Sequence, residues 1–98
     1  MDNYNSTANF HIAVIKDKSL SYLDKIVYIV LCSHADNEAR ECSPKVALIA
    51  EEASCSPRAV HKSLNVLEER GFIQRIHRFS PNIQISSLYK IRDFSKEV

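Results

Sequence analysis

Arg58, Lys62 and Asn65 follow one another at intervals of four and three in a chain of 98 residues. On a helix those intervals place all three on one face, about a turn apart. A guanidinium, an ammonium and an amide in a row do no covalent chemistry. They hydrogen-bond to anions and to the edges of bases, Arg being suited to guanine and Asn to adenine. Ser56 stands just before them, and His61 lies at the edge of the same face. Ser56, Arg58 and the first N–H groups of a helix opening at Pro57 would also hold a phosphate, aided by the helix dipole. The plain alternative is a solvated surface, because charges at such spacing occur on any exposed helix.

The neighbouring residues decide what such a face could serve. Ser56-Pro57 combines a hydroxyl cap with proline at the first helical position, where no N–H is needed. Val60, Leu64 and Leu67 line the opposite side, and Gly71 supplies a left-handed stop. Upstream, Ser43-Pro44 gives the same start signal, followed by Val46, Ile49, Ala50 and Ala53 on one face. Ser54-Cys55-Ser56 interrupts that pattern. Two short helices across a three- or four-residue turn form a helix-turn-helix, whose second helix enters the DNA major groove.

IAEEASCSPRAVHKSLNVLEERGFIQR, with LSYLDKIVYIVLCSHADNEARECSP before it and ISSLYKI after it, resembles a known family. It is similar to the winged helix-turn-helix domains at the N-termini of phage replisome-organiser and plasmid replication-initiator proteins. The resemblance covers roughly residues 10–92 and implies a role in replication initiation on origin-proximal duplex, with replication proteins as further partners. Two positions depart from the family pattern. Ser54 replaces a turn glycine, so the turn must accept a Cβ, and Lys45 replaces a serine, which moves the start of that helix by a residue or two.

Around this unit, residues 1–9 are rich in Asn, Ser and Thr and read as a mobile tail. Phe10, Ile12 and Val14 alternate with polar or small residues and read as a short extended arm. Ser21 caps a first helix, with Asp24 completing a capping box. Leu23, Ile26, Val27, Val30, Leu31 and His34 mark its core face. Its other side is not polar, since Tyr22, Tyr28, Ile29 and Cys32 lie there, and it needs a cover. Either the N-terminal arm or a second subunit supplies it; the expectation is a homodimer through this helix.

Residues 40–43 can add a short strand to a hairpin over residues 72–92. In that hairpin, residues 72–79 and 85–92 read as strands and Ser80-Pro81-Asn82 as the turn. Tyr89 and Ile91 are expected to point inward. Arg75, His77, Arg78, Asn82 and Gln84 are candidates for phosphate or minor-groove contact from this wing, Arg78 foremost because it lies nearest the tip. Residues 93–98 read as a tail or the start of a linker.

Charge supports the assignment through its distribution. The net charge is +1. Residues 1–55 hold five basic against eight acidic residues, whereas residues 56–92 hold seven basic against Glu68 and Glu69. The positive half contains the candidate groove helix and the wing. Other function classes are disfavoured. The longest apolar run, residues 26–32, falls far short of the roughly 20 residues a membrane span requires. The N-terminus lacks a signal-peptide layout, so the chain is expected to be cytoplasmic. Cys32, Cys42 and Cys55 have spacings unlike a disulfide framework or zinc site and read as reduced, small hydrophobes, so no metal or other cofactor is expected. Ser56, His61 and Glu68 have the residue types of a hydrolytic triad, but on successive helical turns they cannot converge on one atom. A single glycine precludes a glycine-rich phosphate loop.

The expected fold is thus mainly α with a small β-hairpin, a winged helix-turn-helix of three core helices plus a wing, and not an enzyme. The expected function is binding of double-stranded DNA with helix 57–70 in the major groove. Ser56, Arg58, His61, Lys62, Asn65, Arg75, Arg78 and Asn82 are the contact candidates. A transcriptional regulator with the same binding mode, or a winged helix used only for protein–protein assembly, are the alternatives.

Overall fold

The computed structural model describes residues 12–36, 38–80, 83–84 and 86–92. Three helices form the core: α1 (Tyr22–His34), α2 (Val46–Ala53) and α3 (Pro57–Glu69). They pack against one another, and a three-stranded antiparallel sheet closes one side. Its strands are β1 (Glu41–Cys42), β2 (Ile73–Ile76) and β5 (Leu88–Ile91), in the order β1-β5-β2. A second antiparallel pair, β3 (Phe79–Ser80) and β4 (Ile83–Gln84), extends the hairpin. This is the winged helix-turn-helix arrangement. No helix among the described residues is long and apolar enough to cross a membrane.

Each element forms for a local reason. At the start of α1, Asp24 N–H donates to Ser21 Oγ at 3.1 Å and Ser21 N–H donates to Asp24 Oδ2 at 3.0 Å, so both orphan donors are satisfied. At the start of α3, Ala59 N–H donates to Ser56 Oγ at 3.1 Å and Pro57 takes the first position. That helix ends in a Schellman motif. Gly71, at φ 79°, donates to Glu68 O, and Phe72 donates to Leu67 O, both at 3.0 Å. Leu67 and Phe72 are both buried, and the Phe72 ring meets Tyr28 edge-on at 6.5 Å.

The core joins Val27, Leu31, Ile49, Val60, Leu64 and Leu67 from the helices to Ile73, Tyr89 and Ile91 from the sheet. Tyr89 and Ile91 point inward, as alternation along the strand requires. Across the sheet, Glu41 pairs with Lys90 and Arg75 with Tyr89.

Several expectations need correction. Residues 12–16 are helical, not extended, and Val14 alone of Ile12 and Val14 is buried. Alternation over three apolar positions is too short to distinguish the two periods. Phe10 and the tails 1–9 and 93–98 lie outside the described residues. The second helix opens at Val46, two residues past Pro44, which is the displacement expected from Lys45 in place of serine. Lys45 is an extended cap residue that makes no side-chain cap bond, so Ser43-Pro44 does not act as the cap. Tyr28 is fully buried, so it belongs to the core and not to a contact between subunits. Cys32 is half-buried beside the Tyr28 hydroxyl and packs against that core. Ile26 and His34 leave the expected core face for the surface, Ile26 at 38% exposure and His34 with Nε2 2.5 Å from Glu52 Oε1, because the core lies on the side of Val27, Val30 and Leu31. The wing strands are interrupted rather than continuous. At the gap Arg78 Nε and Nη2 donate to Ser86 O at 3.0 and 2.9 Å, and Ser87 Oγ lies 3.3 Å from His77 Nδ1. Side chains take over there from the backbone ladder.

Candidate nucleic-acid interface

Val60, Ser63, Leu64 and Leu67 turn α3 inward, at the i, i+3, i+4, i+7 spacing of a buried face. The same rotation leaves Arg58, His61, Lys62 and Asn65 exposed on the outer face. Ser63 was not among the expected inner residues, although that spacing contains it. Its hydroxyl donates to Asp24 Oδ1 at 2.7 Å inside the core. This bond fixes the rotation of α3 about its axis, and hence the direction of the cationic edge.

Ser56 holds the N-terminus of α3 with its side chain committed to the cap. The turn before it is tight. Ser54 adopts the left-handed conformation at φ 56° and ψ 47°, so the serine that replaces a turn glycine accepts the glycine geometry. Cys55 is half-buried against the core, and Cys55 N–H donates to Ala50 O at 3.0 Å.

Between the start of α2, the outer face of α3 and the sheet runs an open groove of about 690 Å³. Lys45, His61, Arg75 and His77 line it, with Asn65, Ser86, Ser87 and Tyr89, and no carboxylate is among its lining residues. Neither Lys45 nor the groove was foreseen, because they depend on how the start of α2 approaches the wing. The charge excess in residues 56–92 was the one sequence signal for it.

The wing candidates divide. Arg78 is exposed, and its grip on Ser86 O bridges the two limbs of the hairpin. Arg75, expected as an outward contact, turns back onto α3. Its Nη2 donates to Asn65 Oδ1 at 2.5 Å and to Glu68 Oε1 at 3.1 Å, with 13% of the side chain exposed. A residue on β2 beside the C-terminal half of α3 finds those partners closer than solvent. Asn82 and the side chain of Gln84 lie outside the described residues.

The thiols of Cys32 and Cys42 are not poised for chemistry. Burial pushes both Cys32 and Cys42 up to about 11, and the Cys42 thiol faces Leu31 O at 3.4 Å. All three cysteines are free, and no metal-holding group of His, Cys, Asp and Glu occurs among the described residues.

Comparison with known proteins agrees with this geometry. None of the curated proteins matches the chain. Among solved structures, a cysteine-to-serine mutant of Lactococcus lactis ZitR is similar, with a TM-score of 0.58 and 22% identity over 84% of this chain and 49% of that one. The apo form of a ZitR double mutant gives 0.54 and 21%, over 97% of this chain and 65% of that one. BldR from Sulfolobus solfataricus, described as a transcriptional regulator, gives 0.53 and 19%, over 96% and 60%. This chain therefore spans between half and two thirds of the length of those proteins, and the likeness is one of fold. Residues 18–73, which run from the lead-in to α1 through the start of β2, match the family described as helix-turn-helix domain. The chain belongs to that helix-turn-helix family.

Proposed function

We propose that the chain binds double-stranded DNA, with α3 in the major groove and the hairpin as a wing against the backbone. The observation that carries this reading is the exposed edge of Arg58, His61 and Lys62 beside a groove lined by Lys45, His61 and His77, into whose wall the guanidinium of Arg75 is drawn by Glu68. A phosphate strand fits such a groove, while the side chains of α3 reach base edges. Ser56 and Arg58 at the helix start and Asn65 farther along the same face, with Arg78 on the wing, add to the contact set. The test is affinity for a duplex of random sequence as salt is raised. Affinity should fall steeply, with a logarithmic slope of about −0.9 for each phosphate contacted. No binding at low salt would turn the reading to protein–protein assembly.

The biological role we favour is replication initiation, supported by the likeness of residues 10–92 to phage and plasmid initiator domains. Transcriptional regulation is the second reading, favoured by the likeness in fold to BldR. Sites selected from a random pool bear on both, since a palindromic or repeated site reports the symmetry of the binder.

A second copy of the chain is the proposed cover for α1. Tyr22 is 79% exposed and Ile29 47%, with Ile12, Ile15 and Ile26 also exposed in the same part of the chain. Apolar clusters of this kind mark contacts, and two-fold dimers are the commonest assembly. Sedimentation of the purified domain tests it, and a monomer at high concentration removes the contact.

A further inference from the structure

Asn65 lies on the edge of α3 that the proposed function turns toward bases, and its amide is not free to rotate. Its Oδ1 accepts from Arg75 Nη2 at 2.5 Å, and the same nitrogen donates to Glu68 Oε1 at 3.1 Å. A guanidinium has donors and no acceptor, so the amide must turn its oxygen toward Arg75 and its NH2 away. The orientation follows from the chemistry of the partner. Arg75 is itself held, since only 13% of its side chain is exposed and its backbone is paired with Tyr89 in the sheet.

Asparagine reads adenine by donating to N7 while accepting from N6, which requires both ends of the amide. Here Arg75 occupies one lone pair of the oxygen and draws that end toward the wing, which leaves the NH2 as the end of the amide that the sheet does not hold. Guanine presents two acceptors, N7 and O6, side by side in the major groove. We propose that Arg75 is a positioning residue that makes Asn65 a donor-only reader, selecting guanine over adenine at the base pair it faces. The inference rests on the duplex-binding reading and adds a specificity to it. It also gives Arg75 a role other than the phosphate contact expected from its type. Glu68 completes the device by balancing the charge of Arg75 and keeping it on α3.

The experiment selects bound duplexes from a random pool with the wild-type chain, Asn65→Ala, Asn65→Asp and Arg75→Met, with circular dichroism confirming each fold. The wild type should prefer guanine over adenine at one position by roughly five- to a hundredfold, the discrimination of a good pair of base contacts. Asn65→Ala and Asn65→Asp should lose that preference at that position alone. Arg75→Met frees the amide to turn and should admit adenine there. If Arg75→Met does not fold, the two Asn65 variants on the exposed face decide the matter. An adenine preference that Asn65→Ala abolishes, or an unchanged site in the Asn65 variants, overturns the inference and leaves duplex binding standing. A folded Arg75→Met that keeps the wild-type preference also overturns it. Failure of the wild type to select any duplex overturns both.

Discussion

Ser63 on α3 donates to Asp24 on α1 at 2.7 Å, and both residues are almost entirely enclosed. Asp24 closes the capping box of α1 with its other oxygen, so one carboxylate starts the first helix and orients the third. Among the aliphatic contacts around it, this bond is directional. Packing alone tolerates small turns of a helix, whereas a short bond to a buried carboxyl group resists them.

Replacing Ser63 with alanine should lower stability by about 1–3 kcal/mol, because Asp24 is left buried with one donor fewer. Asp24→Ala should cost as much and also lose the return bond of the capping box, from Ser21 N–H, while the Ser21 Oγ cap on the backbone N–H of residue 24 remains. Urea midpoints of the two variants and of the double variant measure this. Additive losses would show that the two side chains act independently.

Two left-handed positions should respond in opposite directions. Ser54 sits at φ 56° and carries a Cβ, so Ser54→Gly should gain about 0.5–1 kcal/mol after the extra freedom of the unfolded chain is counted. Gly71 sits at φ 79°, and a Cβ there would lie 3.3 Å from Arg92 Nη1. Gly71→Ala should therefore lose about 1–2 kcal/mol, mostly through the backbone, since the arginine end can yield. Thermal unfolding of both variants checks the signs.

The buried thiols set a pH dependence. Burial raises Cys32 and Cys42 to about 11 and moves Tyr28 and Tyr89 up as well. As pH climbs past the ordinary thiol value of about 8.5, the unfolded chain sheds protons that the folded chain keeps. Stability is therefore full below that value and falls as pH rises toward 11. Urea midpoints at pH 7 and pH 10 should show the drop, and a thiol reagent at pH 8 should label Cys42, the buried one of the two, only as fast as the protein opens. Prompt labelling of Cys42 in the folded chain contradicts the assignment.

The parts of the fold that rest on local chemistry were readable in the residues. Ser21 with Asp24, Ser56-Pro57 and Gly71 each act within a few positions of themselves, and each does what its type and spacing require. Tyr89 and Ile91 followed from alternation. What escaped depends on partners distant in sequence. Ser63 shows its meaning only with α1 beside it, and Tyr28 became core because Phe72 comes back across it. Arg75 looked like a free cation until the sheet brought it to Asn65. The candidate edge was legible through its helix, while the groove beside it arises only when Lys45 and His77 converge from opposite ends of the domain.

In the proposed complex α3 presents a cationic edge to duplex DNA. The most direct test of this is duplex affinity of Arg58→Ala combined with Lys62→Ala, measured by fluorescence anisotropy at fixed low salt, with circular dichroism to confirm the fold. Both residues are exposed, so stability should change by no more than about 0.5 kcal/mol. The double variant should stay folded with duplex binding abolished; a folded double variant that binds as the wild type does would remove α3 from the major groove.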